Sequence, residues 1–335
     1  MRVDGTLGFD PAGVVAQATG AERAGYDGIW SAEVSHDPFL PLVLAAEHTE
    51  RLQVGTGIAV AFARNPMTLA VTANDLHTMA QGRFMLGLGS QIKPHIEKRY
   101  SMAWSHPAPR MRELISAVRA IWASWADGSR LAFRGEYYRH TLMTPMFDPG
   151  PNPYGNPPIF LAAVGPLMAE VAGEVGDGLL AHAFTTERYL REVTVPALER
   201  GLAASGRSRD TFEVSYPGMI VTGVDEEAFV ASAAATRKQL AFYGSTPAYR
   251  PVLELHGWGD LQTELNTLSK RGAWDDMALL IDDEVLDTFA VVGALDTVAS
   301  KVRARYGGLV DRFNVYAPSG IGAERWAEIL AGFKE

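Results

Sequence analysis

Short apolar runs alternate along the chain with longer segments in which apolar residues recur every three or four positions. The short runs are typical of β-strands that are buried on both faces, whereas the longer segments predict amphipathic helices. We predict eight strands, each followed by a helical segment. Their ranges are 2–7, 28–31, 52–61, 84–88, 159–162, 178–181, 211–221 and 311–316.

This regular alternation favours a parallel sheet. Two arrangements of such a sheet compete, a doubly wound open sheet and a closed eight-stranded barrel. Eight units in 335 residues, without a break in composition that marks a domain boundary, favour an α/β (β/α)8 TIM barrel with insertions. We therefore expect a single domain over residues 1–335, with an insertion at about 242–292.

Composition and charge exclude several classes of function. The net charge is -9 and no cluster of Lys and Arg is present, which argues against nucleic acid as a partner. The chain has no cysteine, so disulfides, thiol chemistry and thiolate metal sites are excluded. No apolar run approaches the roughly 20 residues that span a bilayer, and the first residues lack a signal-peptide pattern. We expect a cytoplasmic protein that acts on a small molecule and binds neither nucleic acid nor membrane.

The segment GRFMLGLGSQIK, residues 82–93, resembles the start of a nucleotide-binding domain. The dinucleotide fingerprint requires Gly-x-Gly-x-x-Gly and an acidic residue roughly 20 positions later. Ile92 occupies the position of the third glycine. Gly87 and Gly89 alone are weak evidence, so this segment does not establish a doubly wound sheet.

In a barrel, catalytic residues lie on the loops that follow the strands. The loop after the second strand, SAEVSHDPF, carries Glu33, His36 and Asp37. Asp37 precedes Pro38, so it also has the sequence of a helix N-cap, and His36 is equally consistent with an exposed turn. No second cluster of similar residues follows and no His-x-x-x-His spacing is present, so we expect no metal site.

Four segments together resemble the luciferase-like monooxygenase superfamily. They are GYDGIW (25–30), VGTGIAVAFARNPMTLA (54–70), GRFMLGLGS (82–90) and PPIFLAAVGPLMAEVAGEVGDGLL (157–180). Within it, the sequence is most similar to the branch that uses coenzyme F420. The resemblance implies a bacterial-luciferase-like barrel that holds a deazaflavin at its carboxyl-terminal mouth and transfers a hydride to or from a small organic substrate. An FMN-dependent monooxygenase working with a partner reductase is the alternative, and a non-catalytic flavin-storing barrel is a third interpretation.

The resemblance also implies which residues hold the cofactor. The strand-five loop is expected to bind its phosphate at a helix N-terminus, and a bulge in strand three, with a cis peptide bond at Gly57-Ile58, is expected to support the ring. The end of strand four is expected beside the cofactor. The expected cofactor-binding residues are Gly57, Ile58, Gly89, Ser90, Gln91, Ala163, Val164, Gly165 and Pro166.

The chain departs from the family after strand two, where many relatives carry Asp-His. Ala32-Glu33-Val34 stands there instead, and His36-Asp37 follow in reversed order. Glu33, His36 and Asp37 therefore all stay candidates for the acid–base role. His182, at the end of strand six, is expected at the same mouth. The resemblance further implies a homodimer formed through the helices after strands two and three, which carry extra apolar residues: Leu40, Leu42, Leu44, Met67, Leu69 and Val71.

Overall fold

The computed structural model describes residues 1–316 and 323–334. The strands in this part of the chain are β1 (Arg2–Leu7), β2 (Gly28–Ser31), β3 (Gln53–Thr56), β4 (Ala59–Val60), β5 (Phe84–Gly89), β6 (Phe133–Arg134), β7 (Arg139–His140), β8 (Ile159–Ala163), β9 (Gly178–Ala181), β10 (Glu213–Val221), β11 (Ala290–Val292) and β12 (Arg312–Tyr316).

The α-helices of the same residues are α1 (Val14–Ala24), α2 (Leu40–Glu47), α3 (Pro66–Met79), α4 (Pro107–Asp127), α5 (Pro166–Val175), α6 (Glu187–Tyr189), α7 (Val195–Ser205), α8 (Glu226–Gly244), α9 (Arg250–Leu255), α10 (Gly259–Ser269), α11 (Trp274–Leu279), α12 (Asp283–Phe289), α13 (Val298–Tyr306) and α14 (Ala323–Gly332). Each strand predicted from the apolar pattern overlaps an observed strand. The alternation of parallel strands with helices is therefore confirmed.

The chain forms two compact units. The N-terminal unit comprises Thr6–Leu180 and Ala197–Glu213, and the C-terminal unit comprises Met1–Gly5, Ala181–Pro196 and Val214–Glu335. No helix of the described residues is long and apolar enough to cross a membrane.

In the N-terminal unit the strands pair in the order β2-β3-β5-β8-β9. The pairings β2–β3, β3–β5 and β5–β8 are parallel. Every residue of β2 and β5 is buried, which explains why their sequences are continuous apolar runs. Trp30, Met85 and Phe160 pack together on one face of these strands. Because the three pairings are parallel, the carboxyl ends of β2, β3, β5 and β8 lie at one edge of the sheet.

In the C-terminal unit β10 pairs in parallel with β11 and β12, and β12 pairs in parallel with β1. Asp4 on β1 accepts two hydrogen bonds from the guanidinium of Arg312 on β12, at 2.7 and 2.8 Å, and both side chains are fully buried. The segment after residue 242, which the sequence pattern left irregular, contains the four helices α9–α12. Whether it is an insertion stays a prediction.

Proline at a first helical position predicts helices that start at Pro66 and Pro166, and both starts are confirmed. Asn65 caps α3 by accepting a hydrogen bond from the backbone N–H of Met67 at 2.8 Å. The pair Asp10-Pro11 likewise predicts a helix with Asp10 as its N-cap and Pro11 at its first position, but this prediction is wrong, because α1 begins at Val14. The Asp10 carboxylate instead accepts from the N–H of Ala12 and closes a turn ahead of the helix.

The strand predicted over 52–61, with a bulge expected at Gly57-Ile58, is divided there into β3 and β4. The peptide bond between these two residues is cis, as predicted. Across this interruption the Thr56 hydroxyl donates to the carbonyl of Gly87 at 2.7 Å and accepts from its N–H at 2.9 Å. A Cβ at Gly87 would lie 1.7 Å from the Thr56 carbonyl oxygen. Only glycine allows these two backbones to approach so closely.

Candidate functional site

The predicted site residues of the N-terminal unit follow the carboxyl ends of neighbouring parallel strands. Glu33 comes two residues after β2, the cis bond directly follows β3, Gln91 comes two residues after β5, and Gly165 comes two residues after β8. In parallel α/β folds this edge of the sheet carries the ligand and the catalytic groups. The topology therefore places all four predicted loops at one edge.

Glu33 is held by four hydrogen bonds at this edge. Its Oε1 accepts a hydrogen bond from the Tyr100 hydroxyl at 2.8 Å, and its Oε2 accepts from the Val60 N–H at 2.7 Å and from the Arg64 guanidinium. Its backbone N–H donates to the Ile58 carbonyl at 3.2 Å. The carboxylate is only 8% exposed. These contacts hold the β2 loop against β4 and fix the orientation of the Glu33 carboxylate.

Sequence reasoning missed Arg64, which joins two of the candidate carboxylates. Its guanidinium pairs with Glu33 and, at 3.2 Å, with Oδ2 of Asp37. It also donates to the Val60 carbonyl at 3.1 Å and lies 5.5 Å from the centroid of the Phe39 ring. The sequence could have indicated this pairing, because the loop AFARNP carries one cation and the loop after β2 carries two carboxylates.

Tyr100 was missed as well. It lies beyond a short helical turn over His95–Arg99 in the long loop that follows β5. Burial, followed by the hydrogen bond to the Glu33 carboxylate, raises the pKa of its phenol. The hydroxyl therefore stays protonated and serves as a donor to Glu33. Arg99 ties the same loop to the β2 loop by donating to the Val34 carbonyl at 2.6 Å.

Asp37 and His36 lie in different surroundings. Asp37 Oδ1 accepts from the N–H groups of Phe39, at 2.8 Å, and Leu40, at 3.3 Å, where α2 begins. The N-cap of α2 is Phe39, so Asp37 is not the N-cap that its position before Pro38 suggested; its carboxylate closes the turn ahead of the helix. His36 is exposed and stacks on Phe9, with ring centroids 4.1 Å apart. Neither of its ring nitrogens is hydrogen-bonded to a residue in the described part of the chain, so His36 is accessible for proton exchange.

The amino end of α5 is open. Gly165 precedes the helix in an extended conformation, Pro166 is its first residue, and no described side chain caps it. A Cβ at Gly165 would meet no heavy atom within 4 Å among the described residues. Unpaired N–H groups and the helix dipole together favour an anion at such a position.

The end of β5 is shaped by contacts with Ile58 and within its own loop. A Cβ at Gly89 would lie 2.8 Å from Cδ1 of Ile58, so this glycine makes room for the side chain after the cis bond. The Ser90 hydroxyl donates to the Gln91 carbonyl at 3.1 Å. Gln91 has a left-handed backbone with φ of 59°, and its amide oxygen accepts from the Ile92 N–H. Ser90 and Gln91 thus bond to their own loop.

The sequence profile of the luciferase-like monooxygenase family matches residues 2–312. The chain belongs to this family. It is 59% identical over 312 residues to an uncharacterized protein of Mycobacterium tuberculosis (strain H37Rv), which covers 93% of this chain and 92% of that protein. It is also 30% identical over 292 residues to the 5,10-methylenetetrahydromethanopterin reductase of Archaeoglobus fulgidus, covering 84% and 82% of the two chains.

Among solved structures, the coenzyme F420 dependent tetrahydromethanopterin reductase of Methanopyrus kandleri superposes with a TM-score of 0.79. The match covers 99% of this chain and 96% of that one, at 22% identity. The predicted fold, a luciferase-like (β/α)8 TIM barrel, is thereby confirmed. This member of the luciferase-like family is an oxidoreductase.

The luciferase-like C-terminal unit contains the remaining candidate, His182, directly after β9. Its Nε2 lies 3.1 Å from the hydroxyl of Tyr249, a residue that sequence reasoning missed. Burial lowers the pKa of His182 to about 4, so the imidazole is neutral at physiological pH. Within 1–316 and 323–334 no group of three His, Cys, Asp or Glu side chains is arranged to hold a metal ion.

Proposed function

We propose that this protein is a coenzyme F420-dependent oxidoreductase that transfers a hydride between the deazaflavin and a small organic substrate. The observation that carries the proposal is the similarity, over more than four fifths of the chain, to a methylenetetrahydromethanopterin reductase. The structural neighbour with a TM-score of 0.79 is named as an F420-dependent enzyme of the same kind. When bound, the deazaflavin accepts or donates a hydride.

The residues of the N-terminal unit fit a cofactor that carries a phosphate. The open amino end of α5 offers backbone N–H groups to an anion, and the absence of a side chain at Gly165 keeps that approach clear. Val164 connects this end to Ala163, the last residue of β8. Gly57 and Ile58 lie between β3 and β4, and we propose that the ring rests against them.

The residues in and around the loop after β2 have two proposed roles, fixing the loop and exchanging a proton. Arg64, Glu33 and Tyr100 fix the loop, because each is hydrogen-bonded to another element of the unit. His36 is the candidate to exchange a proton with the substrate oxygen, since its nitrogens face no described partner. His36→Ala is expected to lower kcat with little change in the cofactor Kd, whereas Glu33→Gln is expected to lower thermal stability as well, because it removes the charge that Arg64 pairs with.

The direct test of the cofactor is a fluorescence titration of the purified protein with F420 and, separately, with FMN. We expect saturable binding of F420 and weaker binding of FMN. Tighter binding of FMN, together with oxygen consumption when a flavin reductase is added, favours the monooxygenase alternative. Binding of neither compound overturns both proposals.

We also propose a homodimer that buries the outer faces of α2 and α3. Leu40 is 61% exposed, and Leu44 and Val71 are also exposed. Leu42 and Leu69 were wrongly placed on this face, because both are buried in the core of the unit. Light scattering is expected to give the mass of two chains, and Leu40→Glu is expected to shift the protein to one.

A further inference from the structure

The side chain of His182 is held in one tautomer by its own backbone. Its Nδ1 lies 3.0 Å from the backbone nitrogen of Phe184. A backbone N–H can only donate, so Nδ1 carries no proton and the neutral ring holds its hydrogen on Nε2. Protonation of Nδ1 would set two N–H groups against each other, so the geometry itself maintains this tautomer.

The tautomer fixes the direction of the next hydrogen bond. Nε2–H donates to the hydroxyl oxygen of Tyr249 at 3.1 Å. The Tyr249 oxygen is thus an acceptor toward His182, and its own proton points elsewhere. This hydroxyl has no second hydrogen-bond partner among the described residues, and its side chain is only partly buried. Tyr249 therefore has an O–H group that donates to no described residue, and the hydrogen bond from His182 restricts its direction.

The surroundings of this donor are aromatic. The ring of His182 stacks on Tyr249, with centroids 4.5 Å apart, and meets Tyr243 edge-on at 4.9 Å. Phe184 lies 5.7 Å from the Tyr249 ring. Burial is the cause of the lowered pKa of His182, and burial followed by Tyr243 raises the pKa of Tyr249 to about 12. Both groups are therefore uncharged at physiological pH.

We propose that Tyr249 contacts the substrate and donates a hydrogen bond to an uncharged carbonyl or hydroxyl oxygen on an otherwise apolar compound, and that His182 is the positioning residue that directs this O–H. Aromatic walls with one polar donor suit a neutral ligand, because a phosphate or carboxylate there would lose its hydration without gaining a cation. The inference rests on the proposed function only in taking the ligand to be the substrate. It does not depend on which cofactor binds.

The test uses cyclohexanone labelled with 13C at its carbonyl as the probe, added to the protein without cofactor, with F420 and with FMN. Tyr249→Phe removes only the hydroxyl. Tyr189→Phe is the matched control, because Tyr189 belongs to the same hydrophobic cluster and makes no ring contact with His182. We expect Tyr249→Phe to weaken binding about tenfold, equivalent to about 1.4 kcal/mol. The carbonyl stretch of the bound ketone is expected at lower frequency in the wild type than in this variant, a difference that a purely structural role does not produce.

Nitrogen-15 NMR of histidine-labelled protein tests the positioning role, with the His182 signals assigned from His182→Gln. We expect a neutral ring protonated on Nε2, and no change of these signals with inorganic phosphate. The proposal is overturned if the His182 proton is on Nδ1 or if phosphate binds and shifts the His182 signals. It is also overturned if Tyr249→Phe binds cyclohexanone as tightly as the wild type does, or if no form of the protein binds it. If FMN binds and F420 does not, only the proposed cofactor is refuted. The ketone-binding and NMR measurements still test the roles of Tyr249 and His182.

Discussion

Removing the Thr56 hydroxyl tests how the interrupted third strand is held beside the proposed ring site. Thr56→Val replaces a hydroxyl with a methyl group of the same shape, so packing around the fully buried side chain is preserved. The N–H and the carbonyl of Gly87 then both lose the partner that the hydroxyl supplies. Nothing else at this position changes in size.

The expected loss follows from these two contacts. A buried polar group left without its hydrogen bond costs about 1–3 kcal/mol, and two such groups are affected. We therefore expect Thr56→Val to lower the free energy of unfolding by about 2–6 kcal/mol. Thr56→Ser keeps the hydroxyl and removes one methyl group, and it is expected to cost about 1 kcal/mol.

The assay is urea unfolding followed by circular dichroism, with the slope of the transition compared across the three proteins. An unchanged slope with a lower midpoint for Thr56→Val identifies a true loss of stability. If Thr56→Val loses less than Thr56→Ser, or if the two lose the same amount, the hydroxyl does not bridge β3 and β5 as described. The reasoning about this interruption is then refuted.

Three further predictions concern the loops. Gly165→Val is expected to raise the cofactor Kd at least tenfold with little change in Tm, because a Cβ there meets no heavy atom of the described residues within 4 Å. Unchanged affinity in a titration argues against a phosphate at α5. The folded pKa of His182, about 4, lies below its unfolded value of 6.5, so the unfolded state takes up the proton first as pH falls. Stability is therefore expected to drop by about 2 kcal/mol more between pH 7.5 and 5 in the wild type than in His182→Gln, and equal drops in urea unfolding contradict this. Arg64→Met is expected to lower Tm and to release the β2 loop to protease, whereas unchanged cleavage excludes its bridging role.

The fold was predictable from the sequence because its signals are local. Apolar runs of four to six residues specify buried parallel strands, as in β2 and β5, and a proline at the first helical position specifies where α3 and α5 begin. The cis bond at Gly57-Ile58 followed from the family resemblance, since no local pattern encodes it. The local apolar pattern did not predict the break between β3 and β4 either; the bulge expected there came from the same resemblance.

The candidate site was only partly predictable, because its contacts join distant positions. Glu33 was found from its loop, but its partner Tyr100 lies 67 positions away and reaches it only through the path of the β5 loop. Tyr249 is likewise 67 positions from His182 and lies in a segment, after residue 242, for which the sequence pattern predicted no element. Long-range side-chain pairs of this kind leave no periodic signal in the sequence.

The central claim is that this luciferase-like protein moves a hydride to or from F420. It is tested most directly by incubating the protein with oxidised F420 and a panel of alcohols, sugar phosphates and aldehydes, and by following the loss of the deazaflavin absorbance. The account predicts reduction of F420 by at least one compound without oxygen uptake, and loss of that activity in His36→Ala. An F420 spectrum that no compound changes, combined with turnover and oxygen uptake when reduced FMN is supplied, contradicts it.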